Sequence, residues 1–225
     1  MIFENVFEFN LNIILDLVYP PVCGFCKEIC KENLCSNCNK YIDTLVKNRK
    51  IDYRNNQEKY FNKHLYLFKY EEIIREKIID YKFNEDIYLY KTFSRIILNN
   101  KEMCKEFKKY NMVIPIPIHK KRKQMRGYNQ SELIIKELSK QLNFKFDSNL
   151  LYKKNNVIEQ SKLNKSERIR NVRNVYAIKD KSKLEGKELL LFDDIYTTGA
   201  TVNECSKILI KNGAKKVDVL TIAKD

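Results

Sequence analysis

The sequence predicts an α/β protein, a parallel sheet flanked by helices, preceded by a small cysteine-bearing unit. Three observations carry this. Apolar or β-branched runs of strand length, HLYLFKY (64–70), VIPIPIH (113–119), VYAI (175–178), ELLLFD (188–193) and KVDVLTIA (216–223), alternate with longer segments of helical period. Two C-x-x-C pairs lie close together near the N-terminus. One apolar run ends in paired carboxylates and passes through a hydroxyl-rich loop into a helix start, an arrangement expected where open α/β sheets bind ligands at the carboxyl ends of their strands.

Taken in order, residues 2–18 read as a helix stopped by Pro20 and Pro21, and the cysteines follow at residues 23–38. KNRKIDYRNNQ (47–57) is polar and unpatterned, and reads as a linker. After the strand at 64–70, EEIIREKIIDYKF (71–83) is an amphipathic helix with Ile74, Ile78 and Tyr81 on one face, and a second helix spans about 87–98. The strand at 113–119 leads to the helix NQSELIIKELSKQL (129–142). The strands at 175–178 and 188–193 precede a helix over 202–212, closed by Gly213, and the strand 216–223 ends the pattern. A chain of 225 residues can bury one substantial core and carry an appendage, so two units are expected, residues 1–46 and residues 58–225.

The formal charge of +14, from 43 Lys+Arg against 29 Asp+Glu, favours polyanionic partners, although lysine is abundant throughout and many lysines serve only as solvated surface. Arginine is more informative. Five of the nine, Arg122, Arg126, Arg168, Arg170 and Arg173, fall in two short segments, as expected where a planar, bidentate phosphate binder is needed. The N-terminal stretch lacks a basic lead, is interrupted by Glu4, Glu8 and Asp16, and contains no run of about 18 apolar residues, so it is read as neither a signal peptide nor a membrane span, and the protein is placed in the cytoplasm.

In that compartment close-set thiols are expected to be reduced and metal-binding. Cys23 and Cys26 form one knuckle and Cys35 and Cys38 the other, and four thiolates complete the tetrahedral sphere of a structural Zn2+. Cys30 could replace one of them, and a redox pair is the rival reading. Cys104 and Cys205 sit in helical patterns as small packing residues.

In FDDIYTTGAT, Asp193 and Asp194 stand at the end of a strand, placed to accept hydrogen bonds from the vicinal hydroxyls of a sugar. Thr197, Thr198, Gly199, Ala200 and Thr201 offer hydroxyls and backbone N–H groups at a helix N-terminus, an anion site that Gly199 lets a ligand approach closely. A ribose phosphate suits both halves. Plain helix capping by Thr201 and Glu204 is the structural alternative. Walker A and G-x-G-x-x-G patterns are absent, which argues against a P-loop ATPase or a dinucleotide enzyme.

LLLFDDIYTTGAT resembles the 5-phosphoribosyl pyrophosphate (PRPP) motif of type I phosphoribosyltransferases. VIPIPIHKKRKQMRGYNQSE resembles the R-G-[FY]-N-Q segment of ComF-like proteins, and EQSKLNKSERIRNV resembles their Q-x-x-L-x-x-x-x-R-x-x-N stretch. With the cysteine knuckles, this resemblance to the ComF competence family covers nearly the whole chain. It implies a type I phosphoribosyltransferase-like sheet. Asp193 and Asp194 would hold the ribose diol and the Thr197 to Thr201 loop the 5-phosphate. Arg126 would lie by the pyrophosphate, so that Arg126, Asp193 and Asp194 form the catalytic set, with Mg2+ accompanying PRPP. Tyr128, Asn129 and Gln130 would shape the site, Lys82 is a weaker candidate, and Gln160, Arg168 and Asn171 would belong to a mobile loop. No acceptor or general base is evident, since His64 and His119 read as structural. Two functions follow: a phosphoribosyltransferase of undefined acceptor in DNA uptake and transformation, or a non-catalytic module that binds single-stranded DNA or DNA-uptake proteins.

Overall fold

The computed structural model describes residues 20–84, 86–154 and 175–225. The helix expected over 2–18 and the expectations placed on Gln160, Arg168, Arg170, Asn171 and Arg173 lie outside the described residues. In chain order the elements are α1 (Ser36–Leu45), β1 (Arg49–Asp52), β2 (Lys63–Lys69), α2 (Glu72–Phe83), α3 (Leu89–Asn99), α4 (Lys101–Phe107), β3 (Met112–Pro115) and α5 (Lys120–Arg126). There follow α6 (Gln130–Leu142), β4 (Leu151–Lys153), β5 (Tyr176–Ile178), a 3-10 turn (Lys181–Lys183), β6 (Glu188–Tyr196), α7 (Ala200–Lys211) and β7 (Lys216–Lys224).

The main sheet has the order β1-β2-β7-β6-β3, parallel except for the antiparallel edge strand β1. β7 lies at its centre and is buried along almost its whole length. Side chains alternate between the faces of the sheet. Leu190 and Phe192 of β6 join Ile74, Ile78 and Tyr81 of α2, Phe93 and Ile97 of α3 and Ile134 and Leu138 of α6, whereas Leu189 and Leu191 face Val202, Cys205 and Leu209 of α7. The stripe Ile74, Ile78 and Tyr81 read from the sequence is thus the buried face of α2.

Two expectations change. Residues 49–52, inside the polar segment read as a linker, form β1 and pair with β2 from Arg49↔Tyr66 to Asp52↔Lys63. An edge strand with exposed charged side chains has no hydrophobic alternation to reveal it. VYAI forms β5, which pairs with β4 in a separate two-stranded sheet from Leu151↔Ile178 to Lys153↔Tyr176 instead of entering the main one. Periodicity identifies a strand but not its partner.

The cysteine unit shares the core on the α2, α3 and α6 side of the sheet. Cys23, Leu34 and Ile42 are buried with Leu89 and Phe93. Polar contacts stitch it to α3: the Thr92 hydroxyl donates to the Asn33 carbonyl at 2.9 Å, the Asn99 amide donates to Asn39 Oδ1 at 2.8 Å, and Arg95 pairs with Glu32. A Cβ at Gly24 would overlap Thr92 and Leu89, so the first knuckle approaches α3 as closely as only a glycine permits.

Candidate functional site

The site forms where β3 stops and β6 continues. β3 pairs with β6 only as far as Pro115↔Phe192, and the Ile116 N–H then donates to the Phe192 carbonyl at 2.8 Å. Pro117 has no N–H with which to extend the ladder. β6 runs on to Tyr196, paired on its other side with β7, so Asp193 and Asp194 lie on a strand end whose β3 side is open. Strand pairing thus continues slightly beyond the predicted end at residue 193.

The RGYNQ segment shapes this opening one residue at a time. Gly127 caps α5 in the left-handed conformation (φ 80°), which turns the chain immediately after Arg126. The Tyr128 hydroxyl donates to the Tyr81 carbonyl at 2.8 Å and the Tyr81 hydroxyl to the Gln130 carbonyl at 3.0 Å, a reciprocal clip between the end of α2 and the start of α6. Asn129 caps α6 by accepting from the Ser131 N–H, while its amide donates to the Ile116 carbonyl at 3.0 Å and fixes the loop after β3. Gln130 lines the opening, and its buried side-chain nitrogen has no hydrogen-bond partner among the described residues.

Asp193 Oδ1 accepts from the Ser131 hydroxyl at 3.2 Å and from the Asp194 N–H at 3.0 Å. Asp194, only 6% exposed, pairs through Oδ1 with Lys82 Nζ at 2.9 Å. Burial of the Asp193 carboxyl, reinforced by the neighbouring charge of Asp194, pushes its pKa up to about 7 even though Lys82 opposes the shift. The two acids therefore differ: one is held as an ion pair, and the other sits where ionisation is costly.

The loop beyond them is governed by Gly199, the N-cap of α7 (φ 72°). A Cβ there would overlap the Tyr196 hydroxyl, and the Tyr196 ring is stacked on buried His64 with centroids 4.2 Å apart. Both the φ angle and the space require glycine. The structural alternative, capping by Thr201, does not occur, because Thr201 lies within α7; instead Thr198 Oγ1 accepts from the Ala200 N–H at 3.3 Å. The first-turn N–H groups have no intrahelical acceptor and form the positive end of the helix dipole.

These elements enclose a cavity of about 450 Å³ whose wall includes Asp193, Asp194, Thr197, Thr198, Ala200, Thr201 and Arg126. Gly199 acts through the backbone and is not part of that wall. Lys82, Arg122 and Lys153 also line it, so four cations face two carboxylates. Burial and then the charge of Arg122 lower the Arg126 pKa, and the Arg126 guanidinium lies 4.9 Å from the centre of the Phe83 ring. Arg122, one of the clustered arginines, therefore belongs to the cavity wall. Lys153, Ser131 and Phe83 carry no motif and were not singled out in the sequence. His64 is fully buried, bonds Thr221 Oγ1 at 2.9 Å and is driven down to about 3 by burial and the charge of Lys224, as a structural histidine should be. His119 caps α5 by accepting from the Lys121 N–H and also lines the cavity.

In the N-terminal unit, the Sγ atoms of Cys23, Cys26, Cys35 and Cys38 all lie within 4.8 Å of one another, and Cys30 is not part of the group. The Cys26–Cys35 separation is 3.7 Å, close to the roughly 3.8 Å edge of a tetrahedron built on metal–sulfur bonds of about 2.3 Å. The Cys35 N–H points at Cys23 Sγ and the Cys38 N–H at Cys35 Sγ, both at 3.4 Å. Burial would raise the Cys23 pKa, but N–H groups of Cys26, Cys35 and Phe25 outweigh it and bring the thiol to about 7. The donor set fits a structural metal ion.

No protein-family model matches the chain. It is 26% identical over 211 residues to Competence protein F of Haemophilus influenzae, covering 87% of this chain and 92% of that one. It is 34% identical over 161 residues to Competence protein ComFC of Streptococcus pneumoniae, covering 72% and 68%. Among solved structures, a hypoxanthine phosphoribosyltransferase from Staphylococcus aureus aligns at 14% identity and a TM-score of 0.40, over 60% of this chain and 65% of that one. No helix among the described residues is long and apolar enough to cross a membrane. One third identity sustained over more than two thirds of both sequences is family-level kinship, and the chain belongs to the ComF family of competence proteins.

Proposed function

We propose that the chain binds PRPP or a closely related ribose phosphate in the 450 Å³ cavity and serves DNA uptake in natural transformation. A single observation carries the ligand assignment: paired carboxylates, a hydroxyl-bearing helix N-terminus and Arg126 converge on one concave wall. In this reading Asp194 and Asp193 take the ribose hydroxyls, the Thr197 to Thr201 loop takes the 5-phosphate, and Arg126 and Arg122 face the pyrophosphate. The diol displaces Lys82 from Asp194 and leaves its ammonium to face ligand phosphate. The two aspartates are the donors available to a Mg2+ ion arriving with PRPP, which would supply positive charge against the departing pyrophosphate. Transfer would break the C1–O bond, release pyrophosphate and join C1 to a nitrogen acceptor, with the arginines stabilising charge on the leaving group. The names of the relatives supply the link to transformation. Zn2+ is the ion we assign to the four cysteines, and a reducing cytoplasm the compartment that keeps them free for it.

Calorimetric titration of PRPP with Mg2+ tests the site. Replacing both Asp193 and Asp194 by Asn removes two charge-assisted hydrogen bonds, each worth about 1.5–3 kcal/mol, and should weaken binding at least a hundredfold. Equal affinity in both proteins would sink the assignment.

A second reading, contact with single-stranded DNA, is favoured by an adjoining cavity of about 610 Å³. It shares Pro117, Ile118 and Lys153 with the first and adds Lys120, Lys123 and Lys179. If phosphates sit there, log affinity for an oligonucleotide should fall with log salt at roughly −0.7 per phosphate contacted. An absence of binding at about 50 mM salt, with PRPP still bound, would remove this reading and leave the first.

A further inference from the structure

Phe83 is the last residue of α2 and remains 67% exposed, although it lines the cavity that holds the paired acids. Of the rings in that wall, Tyr176 is buried and the partly buried His119 accepts from the Lys121 N–H as the cap of α5, whereas Phe83 is the most exposed. Its position is set by the C-terminal end of α2, and the Arg126 guanidinium lies over the ring at 4.9 Å. Ile116, Ile118 and Ile195 add apolar surface to the same wall. A ribose phosphate has no use for such a surface, since its hydroxyls and phosphate are met by the carboxylates, the threonine loop and the cations.

We infer that Phe83 is the stacking platform for a planar heteroaromatic acceptor bound beside the ribose phosphate, an inference that rests on the ribose-phosphate reading above. A flat π-system covers the exposed ring and can be flanked by the planar guanidinium of Arg126. Ammonia or an aliphatic amine would need no such wall. A protein partner could cover an exposed phenylalanine together with the neighbouring exposed Met125, but Met125 is not part of the cavity wall and Phe83 is. A nucleotide strand could stack a base on Phe83 as well, and that alternative is an outcome of the test.

The chain contains no tryptophan, so Phe83→Trp installs a single fluorophore at the proposed platform. The full-length variant would be titrated with adenine, hypoxanthine, uracil, orotate and nicotinate in the presence of PRPP and Mg2+, with Tyr41→Trp as a control fluorophore on an exposed site outside both cavities. Stacking predicts saturable loss of emission for at least one heterocycle, dependent on PRPP and absent in the control. In the unsubstituted chain, calorimetry of that heterocycle should give an affinity that Phe83→Ala weakens about 5- to 150-fold, the loss of one ring stack. Three results overturn the inference. No quenching by any heterocycle while calorimetry shows PRPP bound removes the platform and spares the ribose-phosphate site. Quenching by an oligothymidylate without PRPP assigns the ring to a nucleic-acid strand instead. Failure of PRPP itself to bind the unsubstituted chain removes both readings.

Discussion

Asp193→Asn should make the ligand-free protein more stable at pH 8 and leave it nearly unchanged in acid. The Asp193 carboxyl titrates at about 7 in the folded chain, against about 3.8 when solvated, because burial and the charge of Asp194 disfavour its ionised form. A group whose folded pKa is raised contributes stability that is complete below the unfolded pKa and is lost as pH rises towards the folded one. Between pH 4 and pH 7 the wild type therefore pays progressively for ionising Asp193, to a ceiling of about 4 kcal/mol at pH 8 and about 1 kcal/mol at pH 4.5, using 1.36 kcal/mol per pKa unit. Asparagine does not ionise, and its Oδ1 can still accept from the Ser131 hydroxyl and the Asp194 N–H. Even half of the ceiling, about 2 kcal/mol, should raise the Tm by roughly 4–8 °C in a chain of this size. Urea denaturation of both proteins at pH 4.5 and pH 8, followed by circular dichroism, measures the difference. If the variant is no more stable at pH 8, or gains as much at pH 4.5, the burial argument for Asp193 is wrong. The same substitution should weaken PRPP binding, so stability and function would move in opposite directions at one residue, as expected where a site is kept against the interest of the fold.

Two further perturbations probe the scaffold. Protein purified without chelator should carry one zinc per chain by elemental analysis, and Cys35→Ser should lose it; because Cys23, Leu34 and Ile42 share the core with α3, the thermal transition of the whole protein should shift down, and an unchanged Tm would contradict that shared packing. Gly199→Ala places a side chain at φ 72° and against the Tyr196 hydroxyl, and should cost about 2–3 kcal/mol, a fall in Tm of about 4–12 °C; a variant of wild-type stability would show that the loop can relax around Tyr196.

What could be read in the sequence was local. The strands at 64–70, 188–193 and 216–223 and the helices at 71–83 and 129–142 declare themselves by period, and the cysteine spacing declares a close-set group of four thiols. β1 escaped because an exposed edge strand is polar, and the pairing of β5 with β4 escaped because register and partner are properties of two segments at once. α5 is not legible as a helix, since seven residues without a buried side chain leave no hydrophobic stripe.

The site follows the same division. Asp193, Asp194 and the threonine loop were visible because they are contiguous, whereas the groups that set their chemistry come from far along the chain. Ser131 is 62 residues from Asp193, yet its hydroxyl donates to that carboxylate. Lys82 reaches Asp194 from the end of α2, which the Tyr81–Gln130 and Tyr128–Tyr81 hydrogen bonds clip to the start of α6. Two adjacent aspartates look equivalent in a sequence. In the fold Lys82 pairs with one, while the surroundings of the other disfavour its ionised form, so that in the proposed reading one exchanges its cation for a diol while its neighbour carries a charge that the protein would be more stable without.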